Sequence, residues 1–106
     1  MPDDKQYEGV SVVKRANVFG EKCVSHTVIF ADGTRKTLGV FLTGKLTIPS
    51  VVDEELEILA GHCSVRQKNR AEWTEYRAGD FFEVPRNSSI EVNVFETVEY
   101  ICSFRD

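Results

Sequence analysis

Two histidines, His26 and His62, and three cysteines, Cys23, Cys63 and Cys102, are the side chains of this 106-residue sequence best suited to holding a transition metal. Their spacing argues against it. No Cys-x-x-Cys pair is present for zinc, and no histidine stands between Thr27 and Gly61, so a first-row metal held by imidazoles is not expected. Histidine is also the usual acid–base group near neutral pH. His62 opens a strand just after Gly61, and both histidines are expected on a surface or facing a partner. No histidine is predictably beside Cys102 to make a thiolate, so an inert core cysteine is expected there. Three cysteines, odd in number and far apart, read as reduced thiols rather than a disulfide framework.

The elements that must position any site are strands. Short runs rich in Val, Ile, Thr and Phe recur from VSVV (Val10–Val13) and CVSHTVIF (Cys23–Phe30) to IEVNVF (Ile90–Phe95) and EYICSF (Glu99–Phe104), with turn residues between them. No segment of a dozen residues keeps apolar positions at the helical period. About ten short strands in one domain, residues 1–106, predict an all-β sandwich or closed barrel. Asp32-Gly33 fits a two-residue hairpin turn. Ile90, Val92 and Val94 share one face, and Tyr100, Cys102 and Phe104 another. Pro49 and Pro85 fall at strand ends, where no ladder N–H is needed.

Composition narrows the function classes. With 42% apolar and 28% charged residues, the chain has the make-up of an ordinary globular domain. No stretch approaches the ~20 apolar residues of a membrane helix. The acidic opening MPDDKQYEG is not read as a secretory leader, so a cytoplasmic location is expected. Net charge is −4, with scattered basic residues, which argues against a nucleic-acid groove. A small anion is compatible with it, because one or two local arginines suffice for a phosphate.

Gly79, five residues and then Pro85 match the opening of a β-barrel motif that resembles the second motif of the cupins, G-x5-P-x-G-x2-H-x3-N. The second glycine of that motif falls at Asn87 and the histidine at Ile90. Glu54, six residues and then Gly61 resemble the end of the first cupin motif, whose histidine positions fall among Thr47, Ile48, Pro49 and Ser50. A single-domain cupin-like (jelly-roll) β-barrel without the metal ligands is the expected architecture.

A longer resemblance runs from Thr37 to Phe104. "TLGVFLTGKLTI" (Thr37–Ile48), Glu54 with "LEILAG" (Leu56–Gly61), Trp73, "YRAGDFFEVPRNSSI" (Tyr76–Ile90) and "YICSF" (Tyr100–Phe104) resemble the pyrimidine/purine nucleoside phosphorylase family. The resemblance implies attack of inorganic phosphate on the anomeric carbon of purine and pyrimidine nucleosides. Free base and ribose 1-phosphate would be the products, with no metal or organic cofactor. It also implies a homodimer, and neither nucleic acid nor membrane as partner.

Such a reaction builds positive character on the sugar, which a nearby carboxylate favours. Glu54, at the cupin carboxylate position, is the expected catalytic residue, whereas Asp53, Glu55 and Glu57 are expected in solvent. Phosphate needs hydroxyls or an arginine fork. Ser88 and Arg86 in the turn after Val84-Pro85 are candidates, as are Thr37 and Thr47 on strands expected to line the mouth. Phe82 and Tyr100 are candidates to stack on the base. Each has a plainer reading: turn hydroxyl, solvated arginine, strand threonine or core aromatic. A non-catalytic cupin-type module binding a sugar, nucleoside or phosphorylated metabolite is the alternative function.

Overall fold

The computed structural model describes residues 6–105, and these form a single all-β sheet domain without a helix. The strands are β1 (Ser11–Val12), β2 (Asn17–Phe19), β3 (Cys23–Ile29), β4 (Arg35–Phe41), β5 (Gly44–Ser50), β6 (Asp53–Gln67), β7 (Thr74–Arg77), β8 (Phe81–Val84) and β9 (Ser88–Arg105). All pairings are antiparallel, in the order β1-β3-β4-β9-β6-β7, with β2 on β3, β5 on β9 and β8 on β6.

Nine strands stand where about ten short ones were expected, because two of them are long. The runs LEILAG and HCSVRQ are both parts of β6, and IEVNVF and EYICSF are both parts of β9. A glycine in one and residues 96–98 in the other look like breaks in sequence but lie within continuous strands. Consequently Ile90, Val92, Val94, Val98, Tyr100 and Cys102 are all buried on the same face of β9; the expectation of two faces is corrected. The short β2 was not anticipated.

The two long strands pair along their lengths, and each then holds a different partner at either end. The first part of β9 pairs with β5 and its last part with β4. The first part of β6 pairs with β8 and its last part with β7. The sheet therefore has two halves that share β6 and β9. Between Ile58 and Cys63 the ladder is irregular, with successive register shifts against β9. There β6 exchanges its inward set from even positions (Leu56, Ile58) to odd ones (Cys63, Val65), while β9 keeps even numbers throughout. Bulges of this kind bend a strand, and here they fold the sheet so that both halves contribute to one core. Phe41, Leu56, Tyr100 and Cys102 from one half meet Cys63, Val65, Val92 and Val94 from the other.

Gly61 makes the corner possible. Its φ is +92°, and a Cβ there would stand 2.1 Å from the Thr97 carbonyl oxygen on β9. The turn Arg77–Asp80 crosses over the same corner, with Gly79 N–H donating to Ile58 O (2.8 Å) and Ile58 N–H to Asp80 O (2.9 Å). Gly79 of the Gly-x5-Pro motif is thus the turn residue between β7 and β8.

The β3–β4 hairpin corrects a second expectation. Gly33 N–H donates to Phe30 O and Phe30 N–H to Thr34 O, both at 2.9 Å, so the loop is the three residues Ala31, Asp32 and Gly33. Gly33 takes φ +89°, as a three-residue hairpin with a left-handed bulge residue requires. Register then pairs Ile29 with Arg35 and Thr27 with Thr37.

Gly61→Ala is expected to cost about 3 kcal/mol or more in a denaturant titration, from backbone collision added to left-handed strain. Gly79→Ala, with a similar φ of +94° but nothing within 4 Å of the added carbon, should cost only about 1–2 kcal/mol. Equal losses would show that the Thr97 approach is not what constrains the corner.

Candidate active site

Alternation on the half formed by β2, β3, β4, β9, β6 and β8 turns a consistent set of side chains to one face. They are Asn17 and Phe19 on β2; Cys23, Ser25 and Thr27 on β3; Arg35, Thr37 and Phe41 on β4; Tyr100, Cys102 and Phe104 on β9; and Glu54 and Leu56 on β6. Together with Ile48, Pro49 and Ile90 from the other half, and Val84 at the end of β8, they line a cavity of about 350 Å³. That size is within the range of small-molecule sites.

Ladder register sets out this wall in rows. Asn17 pairs with Ser25, Ser25 with Gly39 and Gly39 with Tyr100. The next row is Thr27, Thr37, Cys102 and Leu56. Glu54 pairs with Phe104 and Val84 at the rim. Asn17 Nδ2 donates to Thr27 Oγ1 (3.1 Å) and lies 3.3 Å from Ser25 Oγ, which fixes a polar patch on one side. Beside it Tyr100 stacks on Phe41, ring centroids 4.3 Å apart, with its hydroxyl 3.4 Å from Cys23 Sγ. Gly39 leaves the space for that ring, since a Cβ there would stand 2.5 Å from the Tyr100 hydroxyl.

Glu54 is half-buried and held from both sides. Its Oε1 accepts the Cys102 thiol (3.4 Å), and its Oε2 accepts from Ser50 Oγ (3.1 Å). The Ser50 hydroxyl also contacts the Val52 carbonyl oxygen. The carboxylate is therefore pre-oriented on the cavity wall. Burial pushes the Cys102 thiol up, and the neighbouring Glu54 charge, with its hydrogen bond, pushes it further. Burial raises the Tyr100 hydroxyl and the Cys23 thiol as well. All three cysteines are free and buried; none is a thiolate nucleophile near neutral pH.

Of the residues singled out in sequence, Thr37, Glu54 and Tyr100 lie on this wall, and the other four do not. Arg86 is exposed and paired with Asp53, its backbone N–H donating to Asp53 Oδ1 (2.8 Å). Ser88 faces Ser50 at the first pair of the β5–β9 ladder, outside the cavity lining. Thr47 is on the alternate phase of β5 from Ile48 and lines a depression elsewhere. Phe82 is buried against Tyr76, ring centroids 4.5 Å apart. Asp53, Glu55 and Glu57 are half-buried rather than fully exposed, and Glu55 pairs with Arg105 (3.0 Å). His26 is exposed, and His62 pairs with Glu75 (3.1 Å).

The cupin positions are also accounted for. Asn87, where the motif has glycine, adopts φ +56°, a conformation asparagine tolerates better than most residues. Ile90, where it has histidine, is a buried part of the cavity wall. Among the described residues no three His, Cys, Asp or Glu side chains converge as metal ligands would.

Sequence reasoning missed Asn17, Ser25, Thr27 and Arg35. Arg35 is the one cation on the cavity wall among the described residues. It was within reach: it shares the strand phase of Thr37, two positions earlier, and stands at the exposed start of β4.

A family model described as pyrimidine/purine nucleoside phosphorylase matches residues 13–104, beginning well before the motifs at Thr37. A pyrimidine/purine nucleoside phosphorylase of Cupriavidus metallidurans is 54% identical over 100 residues, 93% of this chain and 97% of the relative. One of Burkholderia vietnamiensis is 50% identical over 105 residues, 98% of this chain and 99% of the relative. A crystal structure of a protein of unknown function from Acinetobacter sp. ADP1 superposes with a TM-score of 0.89 at 42% identity, covering 94% of this chain and 98% of that one. Ectoine synthase from P. lautus shares the fold at a TM-score of 0.70 and 11% identity, covering 83% of this chain and 67% of that one.

The thiols give a pH test. Burial pushes Cys63 from 9.0 to about 11. The unfolded chain therefore releases its proton first, and stability should fall as pH rises from about 9 to about 11. Denaturant midpoints across that window should decline, and Cys63→Ala should flatten the decline relative to its own value at neutral pH. An unchanged slope in the variant would contradict the assignment.

Matched along nearly all of its length by the family model and by such relatives, the chain belongs to the pyrimidine/purine nucleoside phosphorylase family.

Proposed function

We propose that this protein is a metal-independent nucleoside phosphorylase of broad base specificity, and that the cavity between β2, β3, β4, β6 and β9 is where it acts. The observation that carries this reading is the pairing of chemistries on one wall: a fixed carboxylate, Glu54, a rim guanidinium, Arg35, and the aromatic surface of Phe19, Tyr100 and Phe104. Ribose, phosphate and base need those three in turn.

In the reaction, a phosphate oxygen forms a bond to the anomeric carbon as the glycosidic C–N bond breaks. The bonding pair leaves with the base, which takes up the proton that phosphate gives up as its oxygen becomes the ester. Glu54 opposes the positive character that develops on the sugar. Its two hydrogen bonds, from Cys102 and Ser50, hold it in place without a shift of structure during the step. Arg35 grips phosphate as a charged fork. Thr37 and Thr27 offer hydroxyls to the ribose, and Asn17 an amide. Aromatic faces carry no base-specific donor pattern, so they accept purine and pyrimidine alike.

The fold that supports this is read as a cupin-like barrel whose metal position is filled by Ile90. Apolar side chains stand exposed on the outer face of the larger half-sheet, among them Val18, Val24, Leu38 and Phe81. They favour a homodimer in which one such face covers another. A location inside the cell fits three buried free thiols.

Purified protein should release free base from uridine, inosine and adenosine only when phosphate is present, and EDTA should not abolish it. Glu54→Gln should lower kcat about 100-fold with melting behaviour retained. Arg35→Ala should raise KM for phosphate roughly ten-fold, more than it lowers kcat. No base release from folded protein in any tube would leave a binding module in place of the enzyme.

A further inference from the structure

A second recess lies on the opposite phase of the same strands, sharing no residue with the cavity. On β5, Ile48 lines the cavity whereas Lys45 and Thr47 face outward. Register then builds a row across the outer face of the smaller half: Thr47 pairs with Glu91, and Glu91 with Arg66. Next to Arg66 stands Trp73, just before β7, with the Arg66 guanidinium 5.1 Å from its ring centroid. Two depressions of about 320 and 490 Å³ meet here, sharing Thr47, Arg66 and Glu91. One adds Lys68 and Arg70, the other Lys45 and Trp73.

Charge and order distinguish this recess from a general surface. Four cations, Lys45, Arg66, Lys68 and Arg70, stand against the single carboxylate of Glu91, in a chain of net charge −4. Arg66 pairs with Glu91 at 2.5 Å, but among the described residues no carboxylate pairs with Lys45, Lys68 or Arg70. The turn that carries the last two is fixed by Lys68 N–H to Ser89 O (3.0 Å), Arg70 N–H to Gln67 O (3.1 Å) and Asn69 at φ +65°. Trp73 remains 44% exposed. Unpaired cations on an ordered turn recognise phosphate. An exposed indole backed on one face by a guanidinium offers its other face as a stacking platform for a flat ring.

We propose that this recess is a binding site for a nucleoside phosphate, with the base on Trp73 and the phosphate toward Lys68 and Arg70. It is separate from the cavity and takes the charged form of the molecules that the cavity is proposed to cleave. Glu91 limits its affinity by holding Arg66.

Trp73 is the only tryptophan, so its fluorescence reports on this recess and not on the cavity. The experiment titrates the intact protein with uridine monophosphate, and in parallel with uridine and with inorganic phosphate. Excitation at the red edge of the indole band avoids absorption by the base. Saturable quenching by uridine monophosphate is expected, weakening with added salt and much weaker with uridine or phosphate alone. Lys68→Ala and Arg70→Ala should each weaken it roughly two- to five-fold. Glu91→Gln should tighten it roughly two-fold, by freeing Arg66. Melting temperature checks that each variant is folded, independently of any base release. Absence of saturable quenching, equal quenching by uridine, or insensitivity to all three substitutions would overturn the proposal.

Discussion

The approach of Gly61 to the Thr97 carbonyl oxygen is the constraint on which the rest of this structure depends. Two strands of 15 and 18 residues could lie as one flat ribbon, with the cavity wall open to solvent. They do not, because β6 changes its inward phase at Gly61 and backbone meets backbone at 2.1 Å from where a side chain would begin. Only glycine permits both the left-handed φ and that contact. With the corner formed, Ile48, Pro49 and Ile90 from one half come over the wall built by the other, and a sheet face becomes a cavity.

Inside that cavity the chemistry is arranged by hydrogen-bond ladders and short polar contacts. Glu54 is anchored by Ser50 at the end of β5 and by Cys102 from the neighbouring strand. Tyr100 is positioned by Phe41 and by the absence of a side chain at Gly39. The thiols serve as small, protonated packing groups, and one of them orients a carboxylate. A scaffold that other proteins use for different ends keeps its recess here and lines it with a carboxylate, hydroxyls, an amide and aromatic rings. The resemblance to ectoine synthase is one of fold alone.

Much of the fold was legible in sequence, because alternation in runs such as IEVNVF and EYICSF directly reports which side chains are buried. What was not legible was continuity. Gly61 carries the local signature of a turn and residues 96–98 interrupt the apolar alternation, and only long-range pairing shows both to lie within continuous strands. The hairpin at Asp32-Gly33 shows how far one residue reaches. A two-residue loop would place Thr37 opposite Val28, whereas the three-residue loop places it opposite Thr27. That single step brings Thr27, Ser25 and Asn17 onto the wall beside Thr37. Sequence reasoning found Glu54, Thr37 and Tyr100 by motif and strand phase. It missed their neighbours because cross-strand register depends on loop length. Arg86 and Ser88 looked suited to phosphate in sequence; the structure pairs Arg86 with Asp53 and sets Ser88 opposite Ser50, on the strand phase of Ile90 but beyond the residues that line the cavity.

The central claim is that the Glu54–Arg35 wall is where nucleoside and phosphate meet. A crystal structure of the protein with ribose 1-phosphate bound would test it most directly. The account predicts the ribose hydroxyls within hydrogen-bond reach of Glu54 and Thr37, and the phosphate on Arg35. Ribose 1-phosphate seated elsewhere, with this cavity empty, would contradict it.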